Sequence, residues 1–168
     1  MFNTGTVAEN FFFSQKIIIK KKYSNREINL YNFFHQKTNV YPDTVIIQKH
    51  FIFFFVKNEN YFKAKRFLKS IRIQLLNKKV LIIRSETTLI KLLFSFFPDT
   101  YIHDVTLSVI KNTGKRVINV IFLFYEDRGI AVGRSGDYIK IVNEIFKNYI
   151  ILEKTKEHIK IKCALINL

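Results

Sequence analysis

The sequence predicts an α+β fold in two parts, and three observations point to it. Residues 40–84 carry short β-like runs separated by turn residues, whereas later stretches space their apolar residues as amphipathic helices do. Three of only 5 glycines, Gly129, Gly133 and Gly136, crowd into one short segment between two such stretches. The formal net charge is +15, from 28 basic and 13 acidic side chains, which is a statement about partners.

The elements follow in order. "FFFSQKIII" (11–19) reads as a buried strand, and "KIIIKKK" (16–22) ends in lysines that suit either phosphate or a solvated strand end. "SNREINLYNFFHQ" (24–36) offers Ser24 or Asn25 as a cap, with Ile28, Tyr31 and Phe34 at helical spacing. "DTVIIQKH", "FIFFFV", "SIRIQLL" and "KKVLIIRS" then read as short strands of a small barrel or sheet. "SETTLIKLLFSFFPD" (85–99) predicts a helix with Leu89, Leu92, Leu93 and Phe96 on one face, stopped by Pro98. A hairpin follows over 105–125, with Gly114 supplying a positive φ in "KNTGKR". "DYIKIVNEIFKNYI" (137–150) is an amphipathic helix, and "YIILEK" and "HIKIKC" finish as strands. No repeat shows in the sequence itself.

Composition narrows the functions. With 48% apolar residues a packed core is expected, and the positive charge calls for nucleic acid or an anionic membrane surface. The apolar runs fall short of the roughly 20 residues that a membrane span needs, so none is expected. Carboxylates are not clustered, and His35, His50, His103 and His158 are scattered without metal-ligand or catalytic spacing. Cys163 stands alone, which removes disulfides and thiolate metal sites and suits a buried structural thiol. No enzyme activity, cofactor, metal or small-molecule substrate is therefore expected.

The chain has 25 Ile, 21 Lys, 18 Phe and 14 Asn against 5 Gly, 4 Ala, 7 Arg and 2 Pro. That contrast follows AT-rich against GC-rich codons, so part of the Phe and Ile content is mutational, and aromatic runs are discounted as stacking platforms. It points to an organelle, above all a plastid (chloroplast), or to the cytoplasm of a reduced AT-rich bacterium. Glu9 and the absence of an early basic cluster argue against a secretory signal.

The glycine segment carries the functional reading. A hairpin, a strand, the apolar turn "GIAV", the loop "GRSG", an amphipathic helix and a strand make the KH arrangement, with Gly133, Arg134, Ser135 and Gly136 as its GxxG loop. Such a turn leaves no side chain over its ends, so a nucleic-acid backbone can approach the peptide groups. It also sits at the start of a helix, where the dipole favours phosphate. Arg134 adds a charge-assisted contact. Asp137 opposes phosphate or serves the helix N-terminus.

These motifs resemble the NusA family of bacterial transcription elongation and termination factors. "IIRSETTLIKLLFSFFPD" (82–99), "SVIKNTGKR" (108–116) and "RGIAVGRSG" (128–136) are similar to its motifs in the family's order, and "REINLYNFF" (26–34) looks like its connector helix. The resemblance implies a reduced OB-like β-barrel followed by a type II (prokaryotic) KH domain. It divides the chain into an N-terminal extension (1–25), connector helix and barrel (26–84), and KH domain with its leading helix (85–168). It implies RNA and RNA polymerase as partners, and a role in transcription elongation, termination or antitermination.

Carried over residue by residue, the loop 133–136 would hold phosphate. Ile130, Val132 and Ile139 would floor the bases or simply pack in the core. Lys111, Lys115 and Arg116 would flank the RNA from the hairpin or remain a solvated turn, and Lys140 would join them from the helix. A KH-containing ribosomal or ribosome-assembly protein binding rRNA is the alternative.

Overall fold

The described residues, 7–167 of a computed structural model, begin with a short helix, α1 (Val7–Phe13), and a three-residue strand, β1 (Ile17–Ile19). The continuous strand expected over 11–19 is thus a helix end, a turn and a short strand. The chain divides into two compact units, Ile19–Thr87 and the remainder.

In the first unit, α2 (Asn25–Thr38) starts after Ser24, whose carbonyl accepts from the Ile28 amide, and stops at Asn39 in the left-handed region. Strands β2 (Thr44–Gln48) and β3 (Phe51–Val56) pair antiparallel through the two-residue link Lys49-His50. Strand β4 (Lys79–Arg84) pairs with β3 in parallel. A parallel joint needs a crossover, and helices α3 (Asn58–Lys65) and α4 (Leu68–Gln74) supply it. Ile52, Phe54 and Val56 of β3 pack with Phe34, Tyr61, Ala64, Ile71 and Val80 in one core.

Two expectations are corrected here. "SIRIQLL" (70–76) is the end of α4 and the turn after it, not a strand: Ile71 is 0% exposed and Ile73 60%, so the period is helical despite the alternating sequence. Arg72 fixes that helix by donating from Nε and Nη2 to the Val80 carbonyl at 3.0 and 2.9 Å. The small barrel is an open three-stranded sheet, ordered β2-β3-β4, because the segment expected to close it is spent on the crossover.

The second unit opens with α5 (Leu89–Phe96). Its buried face is the expected Leu89, Leu92, Leu93 and Phe96, and its cap position is Thr88. Strands β5 (Ile102–Val109) and β6 (Arg116–Phe122) form the expected hairpin, and Gly114 has φ +66°. Helices α6 (Tyr125–Val132) and α7 (Asp137–Tyr149) follow. Strand β7 (Ile150–Leu152) pairs with β1, and β8 (Lys160–Leu165) pairs with β6 in parallel.

Residues 7–18, expected as part of a separate extension, belong to this second unit. Glu9 Oε1 accepts from the Leu107 amide, the Gln15 carbonyl from Leu89, and Gln15 Oε1 from Lys154.

The two units share one topology. With α1, β1, a 3₁₀ turn and β7 set aside, each runs helix, strand, strand, helix, helix, strand, with an antiparallel pair followed by a parallel third strand in sheet order β2-β3-β4 or β5-β6-β8. The repeat that the sequence hides is therefore present in the fold, which is α+β throughout. The helix–helix joints differ: Gly133–Gly136 between α6 and α7, but Arg66-Phe67 between α3 and α4.

Candidate nucleic-acid interface

Helix α6 ends because Gly133 leaves helical space, at φ 77° and ψ 172°, while its amide still donates to the Gly129 carbonyl at 2.9 Å. Arg134–Gly136 form a single 3₁₀ turn, with Ser135 at φ 54° and Gly136 at φ 72°. The amides of Gly136 and Asp137 donate inside the turn, to the carbonyls of Gly133 and Arg134. The amides of Arg134 and Ser135 stand at the start of the turn, ahead of its first hydrogen bond, where a helix start leaves donors without a partner in the turn itself. Arg134 and Ser135 are exposed, and Gly133 and Gly136 half-buried.

The two loop glycines answer different demands. A Cβ at Gly133 would lie 2.8 Å from both Cβ and the backbone nitrogen of Tyr138, on a backbone that side chains rarely adopt. At Gly136 the requirement is the positive φ alone, since a Cβ would meet nothing closer than Lys140 Cε at 3.7 Å. Gly129 has neither constraint.

Tyr138 anchors the turn from beneath. Its ring is buried edge-on to Phe97 at 6.0 Å, and its hydroxyl donates to the Phe96 carbonyl at the end of α5. Burial raises the phenol far above its usual range, so it stays protonated as a donor. Asp137 lies in the first turn of α7, where the helix dipole favours it.

Lys140 connects the loop to a cleft. Its Nζ lies 3.4 Å from the Ser135 carbonyl oxygen, and the same side chain lines a cleft of about 430 Å³ between α7, the hairpin turn and the start of β8. The cleft wall holds Lys115, Arg116, Lys140, Lys147, His158 and Lys160 over apolar Ile110, Val117 and Ile159, with Glu144 its one acid among the described residues.

Asn143 fixes this wall. Its amide nitrogen donates to the Ile139 and Ile161 carbonyls at 2.9 and 3.0 Å, and its oxygen accepts from the Ile161 amide at 2.8 Å. That engages the outer edge of β8, which ends the sheet.

Of the expected site residues, the structure brings Lys115, Arg116 and Lys140 to the cleft and Gly133, Arg134, Ser135 and Gly136 to the adjoining loop. Ile130 is 57% exposed on α6, and Val132 and Ile139 are half-buried beside the loop. Lys111 is exposed in the hairpin turn but does not line the cleft. Sequence reasoning missed Lys147, His158 and Lys160. Two signals were available: Lys140 and Lys147 stand seven residues apart on one helix, and "HIKIK" alternates buried Ile159 and Ile161 with exposed lysines.

Cys163 is half-buried on β8, and desolvation pushes its thiol up to about 12, with Arg128 pulling the other way. No cluster of His, Cys, Asp and Glu able to hold a metal occurs among the described residues, and no helix among them is long and apolar enough to cross a membrane.

No family model matches the chain, and no curated protein does. Among solved structures it is similar to the crystal structure of APE1850, at 18% identity and a TM-score of 0.58. The match covers 86% of this chain and all of that one, more than either unit contains, and it speaks to the fold alone.

Proposed function

We propose that this protein is an RNA-binding factor of NusA-like type. It contacts nascent RNA and RNA polymerase and modulates transcription elongation, termination or antitermination. The observation that carries the RNA reading is the Gly133–Gly136 turn: it joins two helices and presents the Arg134 and Ser135 amides at its exposed start beside a cationic cleft. A phosphate accepts from such amides, with Arg134 and Lys140 as counter-charges, and the next phosphates run along Lys147, Lys160, Lys115 and Arg116. The second unit is read as a type II KH domain on this loop and on its element order. The first unit repeats that order without the glycines, and in this reading it stands where a reduced OB-like barrel was expected.

Replacing Arg134 and Ser135 together with Asp tests the loop. Both are exposed, so the fold is expected to survive. Charge repulsion lowers affinity for single-stranded RNA by at least about tenfold at fixed low salt. Unchanged affinity in the folded double variant removes the loop from the site. The polymerase contact rests on the family resemblance, and co-purification separates it from the ribosomal alternative: RNA polymerase subunits support it, and small ribosomal subunits without polymerase refute it.

A further inference from the structure

The helix–helix joint of the first unit has no glycine, yet it is not featureless. Residues 57–84 hold nine cationic side chains and one acid, Glu59. Several crowd the joint, with Lys63, Arg66 and Lys69 exposed. Amid them Phe62 leaves 68% of its surface open to solvent, and Phe67 is also exposed. A bare aromatic ring within a dense positive field is poorly explained by packing, because the core of this unit takes Tyr61 and Ala64 from the same helix and leaves Phe62 out.

The ring also has a cationic neighbour. The Arg84 guanidinium, at the end of β4, lies 5.1 Å from the Phe62 centroid and 4.2 Å from that of Tyr61, with Nη1 3.4 Å from Asn58 Oδ1. Arg84 therefore reaches from the strand to the helix and lies against both rings.

From this we infer that the α3–α4 corner is a second contact for single-stranded RNA, made by stacking and point charges instead of by a main-chain clamp. A base stacks on Phe62, and flanking phosphates pair with Lys63 and Arg66. Every base has a flat π face, so the contact tolerates any sequence. The inference takes its ligand from the proposed function but uses none of the loop residues, so the two can fail separately. Charge complementarity selects a polyanion, and the exposed ring selects one with planar bases.

The test uses the full chain and a fluorescein-labelled oligouridylate, with binding followed by anisotropy across a salt series. Phe62→Ala lowers affinity by about tenfold, within the range for loss of one stacked base, and leaves the salt slope unchanged because no charge is lost. Phe62→Trp restores binding. The pair Lys63→Gln and Arg66→Gln weakens binding and lowers the slope by about 0.7 per phosphate contact removed.

Affinity and slope unchanged in both the Phe62→Ala chain and the Lys63, Arg66 double variant overturns the inference. So does loss of binding to phosphatidylserine vesicles in those variants with RNA binding intact, which assigns the corner to a membrane surface. If the Arg134, Ser135 double variant binds normally while Phe62→Ala does not, the corner stands and the loop reading falls.

Discussion

A side chain at residue 133 would place its Cβ 2.8 Å from the Cβ of Tyr138. The glycine is therefore demanded from inside the protein, by the tyrosine that ties the turn to α5, as well as by whatever approaches from outside. Gly133→Ala combines this overlap with a positive φ and is expected to destabilise the fold by about 2 kcal/mol or more. Gly129→Ala meets open space in a helix and is expected to be neutral or to stabilise by up to about 1 kcal/mol. Urea denaturation of the two variants checks the contrast.

The crossover helix gives an equally direct comparison. Ile71 is fully buried and Ile73 largely exposed. Ile71→Ala is expected to destabilise by about 2–5 kcal/mol and Ile73→Ala by less than about 0.5 kcal/mol. Equal losses in thermal or urea unfolding would restore a strand to this segment.

The cleft makes a prediction about charge. Lys147→Gln and Lys160→Gln are each expected to weaken RNA binding uniformly across sequences and to lower the salt slope by about 0.7. Lys111→Gln, outside the cleft, is expected to change neither quantity. Filter binding across a salt series reads all three.

Alkaline pH probes the buried Tyr138 hydroxyl and the half-buried Cys163 thiol. The Cys163 thiol, near 9 when unfolded, is held up to about 12 by burial, and the Tyr138 phenol is also raised. The folded chain thus retains protons that the unfolded chain releases, and the sign follows: stability is flat below about pH 8 and falls as pH climbs past the unfolded values. Cys163→Ala is expected to flatten the first part of that fall in a pH series of urea melts. Native Cys163 is expected to resist alkylation at pH 8 and to react once unfolded.

Much of the second unit was legible because its signals are local. The face Leu89, Leu92, Leu93 and Phe96, the turn at Gly114 and the glycines at 133 and 136 each record a backbone or burial demand in a single short window. The first unit misled because "SIRIQLL" satisfies both periods, and only the parallel pairing of β3 with β4, a contact between distant segments, makes it a helix.

The cleft was half legible for the same reason. Lys115, Arg116 and Lys140 lie near recognisable motifs, whereas Lys147 and Lys160 join them only when Asn143 sets α7 against β8. Discounting the aromatic runs agrees with "FIFFFV", which is wholly buried, whereas Phe62 is 68% exposed and enters only through the inference above.

The most direct measurement is a titration of the isotopically labelled chain with a short single-stranded RNA, following backbone amide resonances. A phosphate seated on the turn is expected to shift the Arg134 and Ser135 amides early and strongly, with Lys140 and the cleft residues moving in step. Saturation of binding with those two amides unmoved would contradict the proposed site.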